Sequence, residues 1–283
     1  MYRLRSQHDI KTLCRVLHVN RSTYYKHFFS DPAPRTVQNQ QIKIHILEIY
    51  SSFDKSIWAY KIKHILERDY GIKISVGRVY RLLATMNLPK MSTSRPKYKA
   101  PHKGNVFCVN RLNQNFSQQA PNLAWASDFT YVKVNGQDNY LCVVLDLFSR
   151  RVIGWHTASR HNIDLTMTAF KKAYESRGCP QNILFHSDRG SEYTGDKFRQ
   201  LMDECNCLQS FSKKGYPYDN ACCESFFKHM KREELNRRTF HSLVEFRLSC
   251  FKYIERYNNW RPHSSLGNLT PAEAEDKYWT KQI

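Results

Sequence analysis

Three acids set the chemistry of this 283-residue chain: Asp128 in WASDFTYV, Asp188 in HSDRGSEY and Glu224 in DNACCESFFKHMKRE. Two fall in segments that read as strands and the third on a helix. Asp188 lies where NILFH ends, at the carboxyl end of a strand, where α/β sheets place their ligands. Glu224 follows Asp219 and Asn220, which are able to cap its helix, so it projects from the first turn. Carboxylates brought together repel unless a cation neutralises them. Magnesium and manganese take hard oxygen ligands. Two such ions about 3.5–4 Å apart clamp the attacking and leaving oxygens of a phosphoryl transfer. Between Asp188 and Glu224 lie 35 residues, and Lys231 follows Glu224 by seven, two helical turns on the same face, where it could hold a phosphate.

The charge points the same way. Formal net charge is +19, and residues 1–120 hold 21 Lys and Arg against 6 Asp and Glu, whereas residues 121–283 hold 23 against 19. No acid occurs between Asp69 and Asp128. Such a one-sided field attracts a polyanion, of which a DNA backbone is the usual one. Hydrophobic content of 41% supports real cores, and no apolar run is long enough to span a membrane. No signal-peptide core follows the amino terminus, so a cytoplasmic location, nucleoid-associated on DNA, is the expectation. The nine cysteines lack zinc spacing and read as reduced, mostly buried thiols.

The elements that must position these groups divide the chain into four parts. Residues 1–30 read as a short helical pair of helix-turn-helix type, with Asn20 capping the second helix. SDPAPR reads as a linker, and residues 36–88 form a second helical unit with DNA-binding character. Its helices are Gln38–Tyr50, Ile57–Tyr70 closed by Gly71, and VGRVYRLLATMNL capped by Ser75. Arg78 and Arg81 lie three apart on the outer face of that last helix, as groove reading requires. Residues 89–120 read as a basic linker carrying Lys97 and Lys99. Residues 121–283 turn to strands: a hairpin through NGQDN, a third strand RVIGWHTA, then alternating helices and strands. A five-stranded mixed α/β sheet with flanking helices follows from that order. Lys213 and Lys214 sit in a glycine-containing loop before the Glu224 helix, suited to substrate entry. Asp146 reads as a turn-fixing residue, His186 as either a phosphate or water contact or a buried histidine, Asn220 as a cap or DNA contact, and Trp260, Arg261 and His263 as packing.

The segments WASDFTYV, LDLFSRRVIGW, HSDRGSEY, DNACCESFFKHMKREELNRRTF and YNNWRPHSSLGNLTPAE resemble an insertion-sequence transposase of the retroviral-integrase-like superfamily, the product of a second reading frame. The resemblance runs from about residue 8 to 275. It implies a ribonuclease-H-like fold in which Asp128, Asp188 and Glu224 hold two Mg2+ or Mn2+ ions and Lys231 contacts DNA. The integrases' amino-terminal zinc module has no counterpart in the His and Cys pattern, so no zinc is expected. The implied activity is polynucleotidyl transfer on the element's own ends. Hydrolysis leaves a 3′-hydroxyl, which attacks a second phosphodiester with no covalent protein intermediate. Implied partners are double-stranded DNA, as element ends and target, and further copies of the chain, at least a dimer on DNA. An upstream-frame helix-turn-helix protein, fused by frameshifting or acting beside it, is also implied. A nuclease of the same fold that cuts without joining, or a DNA-binding regulator, are the alternatives.

Overall fold

A computed structural model describes residues 7–29, 31–54, 56–88, 108–213 and 215–282. Two short helices come first, α1 (Ile10–Val16) and α2 (Arg21–Phe29). Asp9 caps α1 by accepting from the Lys11 and Thr12 amides, and Asn20 accepts from the Ser22 amide at the start of α2. The next helix, α3 (Pro34–Ser52), starts inside the stretch expected to be a linker. Pro34 occupies its first turn, where a missing N–H costs nothing and the fixed φ suits a helix.

Helices α4 (Ala59–Tyr70) and α5 (Val76–Ala84) close a core with α3. Ile42, Ile46, Ile49, Ile62, Ile65, Leu66, Val79 and Leu83 fill it, all at helical spacing on their own elements. Gly71 ends α4 in the left-handed region at φ +64, and Ser75 accepts from the Arg78 amide to start α5.

The sheet has the order β3-β2-β1-β4-β5. Strands β1 (Ala124–Val134), β2 (Gln137–Asp146) and β3 (Val152–Ala158) form an antiparallel meander. The β1–β2 turn puts Asn135 and Gly136 at positive φ, as a tight hairpin needs. After α6 (Ile163–Ser176), strand β4 (Leu184–Ser187) pairs parallel to β1. Helices α7 (Ser191–Thr194) and α8 (Asp196–Glu204) lead to β5 (Leu208–Phe211), parallel to β4, where the sequence pattern suggests a single helix. This is the ribonuclease-H-like arrangement. Alternation along β1 and β2 sorts the two faces: Trp125, Cys142 and Val144 pack under α6 and α8, while Ala124, Ala126, Leu141, Val143 and Leu145 face the other side. Gly154 is what lets α6 lie so close, since a Cβ there would sit 2.5 Å from the Ala169 carbonyl.

That second face is covered by α9 (Ala221–Glu233) and α10 (Leu243–Asn259), with α11 (Pro271–Thr280) following. Asn258 of α10 clamps β3 by bonding both the amide and the carbonyl of Val152 at 2.9 Å. Glu275 of α11 is buried and gathers Ser149, Arg151 and Arg177. Arg261 is buried in a two-pronged pair with Glu233, the last residue of α9. Trp260, expected to pack, is 59% exposed. The helical unit docks at this same place: Lys61 of α4 donates to the Pro262 carbonyl at 2.9 Å, and Asp54 meets Arg238 and Arg256. Burial, with Arg261 nearby, brings the Lys61 ammonium down to about 7. Among the described residues no helix is long and apolar enough to cross a membrane.

Breaking a buried ion pair from one side leaves an uncompensated charge and costs about 3–5 kcal/mol. Arg261→Ala, which strands Glu233, is expected to lower unfolding stability by that amount in urea titration. A loss under about 1 kcal/mol would mean that Glu233 finds its compensation elsewhere.

Candidate active site

The parallel pairing of β1 with β4 brings the first two acids together. Ala126 pairs with His186, so two residues further along both strands Asp128 comes level with Asp188. Neighbouring strands lie about 4.8 Å apart. Asp128 Oδ1 accepts from the Phe129 amide at 2.8 Å, and Asp188 Oδ1 from the Gly190 amide at 2.9 Å. Burial first, then Asp188, then Glu224 push the Asp128 carboxyl up to about 8, against the Phe129 amide and Lys231, which lower it. Burial also raises Asp188, with Glu192 adding to it and His161 opposing.

Alternation puts Asp128 on the face of Ala124 and Ala126, the one that α9 covers. Glu224 stands in the first turn of α9, where the helix dipole favours a carboxylate, and burial raises its pKa. As arranged, no three acid, histidine or cysteine side chains among the described residues are closed into a metal-holding group. The donor set nonetheless suits a hard dication: two level carboxylates whose proton affinity is raised, and a third whose charge is felt at Asp128. Lys231 is half-buried with Nζ 5.8 Å over the Tyr131 ring; burial lowers its pKa, and Asp128 opposes that.

The family described as Integrase core domain matches residues 118–217, and a second of that description matches 206–271. The transposase InsF of insertion sequence IS3A from Escherichia coli (strain K12) is 34% identical over 278 residues, 96% of each chain. The transposase of insertion sequence element IS904 from Lactococcus lactis subsp. lactis (strain IL1403) is 33% identical over 247 residues, 86% of this chain and 97% of the relative. The chain belongs to the insertion-sequence transposases of the integrase superfamily. It is accordingly a polynucleotidyl transferase of the DDE type. Among solved structures, the HTLV-2 integrase catalytic core in complex with magnesium matches with 18% identity and a TM-score of 0.44, over 56% of this chain and 98% of that one. The BIV integrase core matches with 15% identity and a TM-score of 0.43, over 57% and 99%.

Several residues around the transposase site take roles that local pattern does not resolve. Asn220 does not cap α9: its Nδ2 donates to the Ser127 carbonyl at 3.1 Å, tying the helix start to the residue before Asp128. It is buried. Asp219, also buried, accepts from Asn110, Gln114 and the Lys213 amide, each at 2.8 Å. His186 is fully buried between the Ser210 and Ser212 hydroxyls, and burial lowers it to about 4. That leaves a neutral, hydrogen-bonded histidine with no free nitrogen for a phosphate. Asp146 accepts from the Asn122 and Phe148 amides, fixing the turn.

Sequence reasoning passes over Glu192. It is buried, faces His161 at 3.3 Å and adds charge beside Asp188. A Cβ on Gly190 would lie 2.6 Å from Glu192 Oε2 and 3.1 Å from Asp188 Oδ1, so a larger residue there would push the two carboxylates aside. The only signal in sequence is the acid four residues after Asp188 in HSDRGSEY. Lys213 is exposed in its loop, whereas Lys97, Lys99 and Lys214 lie outside the described residues. Arg81 is exposed as expected, but Arg78 turns back to bond Gln38 and Asn39 of α3.

The raised Asp128 pKa has a sign that can be checked. Folding lifts it from 3.8 to about 8, so the folded chain holds that proton more tightly than the unfolded one. The resulting penalty is absent below about pH 4, grows through the window between, and is complete above about pH 8. Metal-free Asp128→Asn is therefore expected to melt several degrees above the parent at about pH 8.5, with the gap closing towards about pH 4. A gap independent of pH would contradict the shift.

Proposed function

We propose that Asp128, Asp188 and Glu224 are the catalytic, metal-holding carboxylates of this transposase, and that Lys231 contacts the DNA phosphate beside them. The observation that carries this is the β1–β4 register: it sets Asp128 level with Asp188, on the face covered by the helix that bears Glu224. The ions such a set holds are Mg2+ or Mn2+, and two of them supply Lewis-acid stabilisation of the entering and leaving oxygens of phosphoryl transfer. The chain's own part is positional. Asp128 and Asp188 are fixed by backbone amides, and Glu224 is held by a helix whose start is bonded to β1. Lys231, two helical turns along α9 from Glu224, has its Nζ 5.8 Å over the Tyr131 ring. No serine or tyrosine nucleophile is needed, because the DNA 3′-hydroxyl itself attacks.

The partners that fit are the ends of the element and a target duplex. At least two copies of the chain act together, since two ends must be joined. Arg78, Arg81, Lys97, Lys99, Lys213 and Lys214 are the further candidates for DNA contact, the first four in the basic amino-terminal part and the last two in the loop before the Glu224 helix. An upstream-frame helix-turn-helix protein, fused or separate, is compatible with this division. Action on DNA in the cytoplasm, at the nucleoid, follows from the same reading.

Asp188→Asn keeps the shape of the side chain and removes its charge. With magnesium and a duplex carrying an element end, strand transfer is expected to fall at least about a hundredfold, the scale of several kcal/mol of lost charge stabilisation. Transfer at the parental rate would overturn the assignment.

A further inference from the structure

Several arginines in the carboxyl-terminal half of this chain are neutralised by acids. Arg177 sits on Glu275, Arg256 on Glu234 and Asp54, and Arg261 on Glu233. Arg78 is held differently. Its Nε and Nη2 donate to Asn39 Oδ1 at 3.1 and 2.7 Å, and Nη2 also donates to Gln38 Oε1 at 2.8 Å. Both anchors are uncharged amides. They fix the guanidinium without cancelling its charge, and leave Nη1 outside these bonds.

Arg78 forms one wall of a cavity of about 400 Å³ between α3 and α5. Arg35, Asn39 and Lys43 of α3 line it at spacings of four, on one helix face, and Arg81 of α5 lines it beside Arg78. No acidic side chain borders it, and no ion pair among the described residues involves Arg35, Lys43, Arg78 or Arg81. Ile42, Ile46 and Ile49 of α3 and Val79 and Leu83 of α5 turn away into the shared core, and Leu82 forms the apolar floor of the cavity. What remains is a trough with four cations, one of them held rigid in advance. From Arg35 to Lys43 it runs about 12 Å, the rise of three to four nucleotides of one DNA strand.

We propose that this α3–α5 trough binds the sugar–phosphate backbone of duplex DNA, with Arg35, Lys43 and Arg81 as phosphate contacts and Asn39 and Gln38 as residues that position Arg78. The proposal rests on the DNA-joining reading above and makes it more specific. It shifts the grip of the helical unit from the outer face of α5 alone to the trough shared with α3. An uncharged anchor matters because preorganising a cation lowers the ordering cost of binding, whereas a carboxylate anchor would compete with the phosphate. Contacts of this kind set orientation on DNA and carry no base readout.

The test is the salt dependence of binding by the full chain, measured as fluorescence anisotropy of a short labelled DNA duplex. Removing one cation–phosphate pairing makes the slope of log K against log salt shallower by about 0.9. The combined Arg35→Ala, Lys43→Ala and Arg81→Ala variant is therefore expected to flatten that slope by about two to three. Lys171→Ala with Lys172→Ala, on the exposed side of α6, is expected to leave it unchanged. Arg78→Lys keeps the charge but loses the planar Nε/Nη2 fork on Asn39, so affinity is expected to fall several-fold while the slope is retained. Asn39→Ala should do the same, and Asn39→Asp should weaken binding further by pairing with Arg78. All five substituted α3 and α5 positions lie outside the buried core, and circular dichroism checks that the fold survives. An unchanged slope in the triple variant, with parental binding intact, would overturn the trough while leaving the carboxylate site standing. An equal flattening in the α6 control, or tighter parental binding to duplex RNA than to duplex DNA, would overturn it as well. Failure of the parent to bind duplex DNA at all would instead bring down the wider DNA-joining reading.

Discussion

Like charges forced into register are the constraint on which the rest of this structure turns. Four residues of β4 pair with β5 and three with β1, and that short parallel ladder sets Asp128 beside Asp188. The surroundings make the repulsion worse, since both carboxyls are pushed towards the protonated form by burial before any charge is counted. A fold selected for stability alone would place neutral side chains there. The arrangement makes physical sense when a dication supplies the missing charge.

Helix α9 then serves two ends of the molecule. Its first turn carries Glu224 and is bonded through Asn220 to β1; its last residue, Glu233, is locked to Arg261. Lys61 and Asp54 of the helical unit reach that same far end, through Pro262 and through Arg238 and Arg256. The unit that offers its cations outward is therefore braced against the helix that offers a carboxylate inward.

Much of this is legible from residues. The three acids are recognisable because each sits in a distinctive local context: an alternating strand, a strand end, and a helix start. Gly71, Ser75 and the Asn135-Gly136 turn act locally, and the structure places each where its conformational preference suggests. What escapes sequence reasoning is long-range or positional. Pro34 reads as a linker residue because proline breaks helices, yet at a first turn it starts one. Asn220 resembles a cap because its partner, the Ser127 carbonyl, lies 93 positions away. Asp219 gathers donors from residues 110 and 114 for the same reason, and no periodicity reports such a contact. Arg78 sits on the expected helix, but its side chain is claimed by amides 39 and 40 positions earlier.

The central claim is that Asp128, Asp188 and Glu224 form one divalent-cation site. Counting bound Mn2+ by the disappearance of its free electron paramagnetic resonance signal tests this most directly, in the full chain with duplex DNA present. The account predicts saturable binding in the parent that is abolished in Asp188→Asn and weakened in Glu224→Gln. Mn2+ binding unchanged in both variants would contradict it.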